Sequence, residues 1–177
     1  MFLLSTWSVA ATALVAQETE TELINREHQI KAAYLGQIGR YVEWPPEAFP
    51  NPQSPFLIGV FVEDPVTSNL LQFAQTRKIQ DRTIEIRKCS ENSNLAAFQI
   101  LFLPATLDPK LQAEIVQRTA GQHVLLVGDG LTLLKTGCSI SFVIEENKLR
   151  LFIARKTIER QGLTVSAKLL QVGHVVD

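Results

Sequence analysis

Histidine and cysteine are scarce in this chain, with three and two among 177 residues. His28, His123 and His174 stand alone, with no cysteine or carboxylate at ligand spacing, so the sequence offers no recognisable metal site. There is no Cys-x-x-Cys pair for zinc or thioredoxin-like chemistry. Cys89 should end one strand and Cys138 begin another, at opposite sides of a sheet. Neighbouring strands lie about 4.8 Å apart and a disulfide spans roughly 7 Å between Cα atoms, which argues against a Cys89–Cys138 bridge. An excess of one charge is also missing. Seventeen Lys and Arg face eighteen Asp and Glu, a net of −1 with a pI near 6.3. No basic stripe or acidic tail stands out, which speaks against nucleic acid.

Catalytic patterns are equally thin. Gly128-Asp129-Gly130 lacks the G-x-G-x-x-G spacing, and no Gly-Lys-Ser/Thr follows it, so it reads as a tight turn after a strand. No serine sits in a nucleophile elbow. Glu63-Asp64 and Glu145-Glu146 are adjacent carboxylates, and adjacent strand residues point to opposite faces. Arg87 and Lys88 beside Cys89 could lower its thiol pKa, but no histidine or second cysteine accompanies it. The expectation is a protein with no catalytic residues, no metal and no cofactor.

Long hydrophobic runs are limited to the start. Met1 to Gln17 carries no charge, and Phe2 to Ala16 is apolar or small. That run is shorter than the roughly 20 residues a membrane-spanning helix needs. It ends in Ala11-Thr12-Ala13 and Leu14-Val15-Ala16, both acceptable to a signal peptidase. Residues 1–16 therefore read as a signal peptide and 25–177 as the folded domain.

What is present is 46% hydrophobic and 20% charged, an ordinary globular composition of single-domain length. After a polar lead-in over 18–24, spacing predicts a helix from about Arg26 to Glu43. Its apolar stripe would be Ile30, Tyr34, Ile38, Tyr41 and Val42, and Pro45-Pro46 would stop it. Phe56 to Val62 reads as a buried strand. Asp64-Pro65 and Asp108-Pro109 read as helix starts, the aspartate capping and the proline at the first helical position. Thr83–Lys88 alternates as a half-exposed edge strand, while Ile100–Leu103 and Val124–Val127 read as buried strands. Ser139–Ile144 and Lys148–Ile153 flank a hairpin loop. A helix from about Lys156 to Gln161 stops at Gly162, and Ser166 caps a last helix. The fold class is α/β: a single-domain three-layer sandwich with a mainly parallel sheet, a C-terminal antiparallel hairpin and helices on both faces.

Two aromatics stand out. Trp44, at a helix end before two prolines, is either a lid on the core or a contact. Phe152 shares a strand face with Arg150, opposite the leucines of that strand. If the last helix leaves it uncovered, it is an exposed aromatic on an edge hairpin, which marks a partner site. Arg150, Phe152 and Trp44 are the candidate protein-binding residues.

An ordered set of short motifs resembles the YfiR-like family. The set is Lys31-Ala32-Ala33-Tyr34-Leu35, Val42-Glu43-Trp44-Pro45, Ile58-Gly59-Val60 with Asp64-Pro65, Arg82 with Ile84-Glu85-Ile86-Arg87, Ile100-Leu101-Phe102-Leu103, Val127-Gly128-Asp129, Ile140-Ser141-Phe142, Asn147-Lys148-Leu149-Arg150, Gly162-Leu163, and Ser166 with Lys168-Leu169-Leu170. The resemblance implies a periplasmic, non-catalytic regulator. Its partner would be the periplasmic sensor domain of a membrane-anchored diguanylate cyclase, repressed by binding, with an outer-membrane-associated protein able to sequester the repressor. It leaves a homodimer open. Cys89 and Cys138 do not match the cysteines of relatives, Phe98 stands where a cysteine is frequent, and Ala154 where Asn is. A periplasmic small-molecule binder, using the strand ends near Val62, Pro104 and Gly128, is the alternative.

Overall fold

The structure, a computed structural model, describes residues 7–176, with side chains from residue 21 onward. The candidate signal peptide over 1–16 thus falls outside the residues with described side chains, and its first six lie outside the described residues altogether. No helix among the described residues is long and apolar enough to cross a membrane.

The elements in chain order are α1 (Trp7–Tyr41), β1 (Val42–Glu43), β2 (Phe56–Val60), α2 (Pro65–Thr76), β3 (Lys78–Ile79), β4 (Arg82–Lys88), β5 (Ile100–Leu103), α3 (Pro109–Arg118), β6 (Leu125–Asp129), α4 (Leu131–Thr136), β7 (Ile140–Glu145), β8 (Lys148–Ala154), α5 (Arg155–Arg160), β9 (Thr164–Val165), α6 (Ala167–Val172) and β10 (His174–Val176). Eight strands form one sheet in the order β10-β8-β7-β6-β5-β2-β4-β3. The run β4-β2-β5-β6-β7 is parallel throughout, a doubly wound arrangement. The β7–β8 and β3–β4 pairs are antiparallel. This is the three-layer α/β sandwich that the pattern predicted.

Local chemistry starts the helices as expected. The Asp64 carboxylate accepts from Thr67 N at 2.7 Å, and that of Asp108 accepts from Lys110 N and Leu111 N. Burial on both sheet faces explains the near-continuous apolar strands. On one face Leu35, Ile38, Phe56, Ile58, Phe102, Val127 and Phe142 join α1, α2, α5 and α6 in one core. On the other, Leu101, Leu103, Leu126 and Cys138 pack with Ile115 of α3 and Leu133 of α4.

α1 departs from expectation in three ways. It runs through the supposed lead-in over 18–24. It ends at Tyr41, because Val42 and Glu43 pair with Val165 and Thr164 of β9. Its buried stripe is rotated as well. Ala32, Leu35, Gly36, Ile38 and Gly39 face inward, while Ile30 and Tyr34 are each 36% exposed. Close approach is the cause: a Cβ on Gly36 would sit 2.1 Å from Cε1 of Phe73 on α2.

Candidate functional site

The β7–β8 hairpin turns through Glu146 and Asn147, with φ of 50° and 58°, between the paired residues Glu145 and Lys148. Two successive left-handed residues match the strand twist and hold the hairpin in register. Leu149, Leu151 and Ile153 therefore face the core beneath Leu169 and Leu170 of α6. Alternation sends Arg150 and Phe152 to the opposite face, where α6 does not reach. Phe152 stays half-buried and stacks on His174 of β10, with ring centroids 5.2 Å apart. The hairpin is not the sheet edge, because β10 pairs along β8 and takes that position. Among the described residues the Arg150 side chain has no hydrogen-bond or ion-pair partner.

Trp44 is only 8% exposed. Its indole N–H donates to the His123 carbonyl at 2.9 Å, and its ring meets Phe56 edge-on at 5.0 Å. It packs in the same core as Phe56, Leu151 and Ile153, on the sheet face opposite Arg150 and Phe152. Cys89 and Cys138 are buried and free. They flank β4 and β7, four strand spacings apart, or roughly 19 Å. Arg87 and Lys88 do not activate Cys89. Burial pushes its thiol up to about 11, with only a partial offset from the Val60 backbone hydrogen bond, and burial pushes Cys138 up to about 12.

A polar cluster unseen in the sequence joins α1 to the carboxyl end of β6. Lys31 is 4% exposed. Its ammonium lies 2.8 Å from Asp129 Oδ2 and 2.5 Å from Glu27 Oε1. Burial is the largest influence on Lys31 and pulls its pKa down. The hydrogen bonds and charges of Asp129 and Glu27 together outweigh it, so the pKa stands above 10.5. The signal was a lysine on the inward side of the helix, beside Ala32 and Leu35, since a buried lysine is nearly always paired.

Charge is also unevenly distributed. Residues 148–176 hold six Lys or Arg against one Glu, a net of +5 in a chain of −1. Of this segment, β8 and β10 form one end of the eight-stranded sheet, and β9 pairs with β1 apart from it. The whole-chain balance hides the excess; a count by segment reveals it.

No group of three His, Cys, Asp or Glu suited to a metal ion occurs among the described residues. His123 Nδ1 sits 2.9 Å from the Gln161 carbonyl oxygen, an acceptor, so that nitrogen carries the proton. What the fold presents is a doubly wound α/β domain with a half-uncovered aromatic face on β8, within a carboxyl-terminal segment rich in Lys and Arg. The chain belongs to the YfiR/HmsC-like family, whose sequence profile matches residues 28–174. This is a family of periplasmic regulators that are not catalysts. A search among curated proteins finds no match to the chain.

Proposed function

We propose that the protein is an exported regulator, with residues 1–16 as signal peptide and 25–177 as the working domain. It binds the periplasmic sensor domain of a membrane-anchored signalling protein, a diguanylate cyclase, and holds it in an inactive arrangement. Release of the regulator then shifts the cyclase population to the active state. An outer-membrane-associated protein that sequesters the regulator would set the signal.

The observation that carries this reading is the Arg150–Phe152 face. It combines an aromatic ring left half-open, a guanidinium with no partner among the described residues and a backbone fixed by a tight hairpin. Aromatic and arginine side chains dominate interface energetics, at about 2 kcal/mol or more each, and the Lys and Arg excess of residues 148–176 adds steering that salt would screen. The test is affinity capture of the tagged protein from its native membranes, with the bound proteins identified. A membrane protein with a periplasmic sensor domain is expected. The double variant Arg150→Ala/Phe152→Ala should lose it, at least thirtyfold in affinity, while remaining folded. Equal capture by that folded variant removes this face from the interface.

A further inference from the structure

Above the Glu27–Lys31–Asp129 cluster, the amino-terminal part of α1 stands away from the β7–β8 hairpin. The groove between them has a volume of about 580 Å³. Leu23, Ile24, Ile30 and Tyr34 form one wall, and Ile144 and Leu149 the other. Single exposed apolar residues are normal on a surface. Here Leu23 at 66%, Ile24 at 47% and Ile144 at 48% converge on one concavity. The sequence gives the reason: Ile30 and Tyr34 continue an apolar spacing that the rotated contact of α1 leaves unburied.

Size and charge narrow the occupant. Small-molecule sites span about 300–1,000 Å³. From Leu23 to Tyr34 the helical wall runs about 17 Å at 1.5 Å per residue, so the groove is long and narrow. Three charged residues line it: Arg26, Glu27 and Lys148. Glu27 is engaged by Lys31. Arg26 and Lys148 have no ion-pair partner among the described residues.

We infer that the groove binds a monomeric anionic amphiphile, a single acyl chain laid along the apolar walls with its carboxylate at Arg26 and Lys148. The site is separate from the Arg150–Phe152 face, which lies on the other side of the hairpin, and does not depend on it.

The test is titration calorimetry of the full chain with dodecanoate below its micelle concentration. One chain should bind one dodecanoate. Decanoate should bind roughly tenfold more weakly, given the loss of two buried methylenes. Dodecyltrimethylammonium should bind at least tenfold more weakly than dodecanoate. Ile144→Glu, at a half-exposed position that leaves the fold intact, should abolish binding with thermal unfolding unchanged. Arg26→Gln/Lys148→Gln should weaken dodecanoate at least fivefold and leave dodecanol unaffected, and Arg150→Ala/Phe152→Ala should bind as the parent does. The inference is overturned by any of four results: no binding of dodecanoate; equal binding by Ile144→Glu; attachment to phosphatidylglycerol vesicles without binding of the monomer; or sedimentation showing the groove closed in a dimer that Ile144→Glu dissolves.

Discussion

Replacing Lys31 with Met removes the one cation between Glu27 and Asp129 and leaves two carboxylates facing each other. Breaking a fully buried pair by deleting one partner costs about 3–5 kcal/mol. Here the Glu27 and Asp129 side chains keep 32% and 25% of their exposure, so water recovers part of that. The expected loss is about 2 kcal/mol, and in a domain of this size each kcal/mol moves the midpoint by about 2–4 °C. Thermal unfolding at pH 7 should therefore drop by roughly 4–8 °C. The pH dependence gives a second check. The folded-state pKa of Lys31 is raised above its ordinary 10.5, so its contribution is fully present below pH 10.5 and fades as pH rises through the folded value. The gap between parent and variant should shrink over that range. Urea unfolding of Lys31→Met, Asp129→Asn and the double variant should give a coupling of at least about 1 kcal/mol. A loss below about 0.5 kcal/mol, or a gap that widens above pH 10.5, refutes the clamp.

Gly36→Ala should destabilise by about 1–3 kcal/mol through its clash with Phe73, and Phe73→Leu should recover part of it, both read by urea midpoint. Neither cysteine should react with iodoacetamide at pH 8 in the native protein, since both thiols are buried with pKa values near 11 and 12; both should react in denaturant, as counted by mass. Trp44→Phe should cost about 1–2 kcal/mol, from the lost hydrogen bond to His123 and the space beside Phe56.

The parts of the fold legible in the sequence are those with local causes. The Asp-Pro starts of α2 and α3, the buried runs of β2 and β5, the hairpin and the Ser166 cap of α6 all rest on chemistry within a few residues. The contact face of α1 does not. Hydropathy periodicity finds large apolar side chains, whereas this helix is seated by Ala32, Gly36 and Gly39, whose value is their smallness. α4 leaves no periodic signature either: it has only six residues, after Gly130 at φ 115°, and Leu133 is its single buried side chain. Two- and three-residue strands such as β1, β3, β9 and β10 exist because a distant partner pairs with them. On the candidate site, alternation placed Arg150 and Phe152 on one face, but nothing local could reveal that Lys31 meets a residue 98 positions away.

The two-residue ribbon of β1 and β9 also constrains the order of assembly. Val42 pairs with Val165, and Tyr41 accepts a hydrogen bond from Ser166 N at 2.8 Å. The carboxyl end of α1 is thus fastened to a segment made more than a hundred residues later. Closing so long a loop is slow, and it waits until most of the chain has emerged. α1 can therefore dock early against α2, through Gly36 and Phe73, while the register of its carboxyl end is fixed only when the last strands arrive.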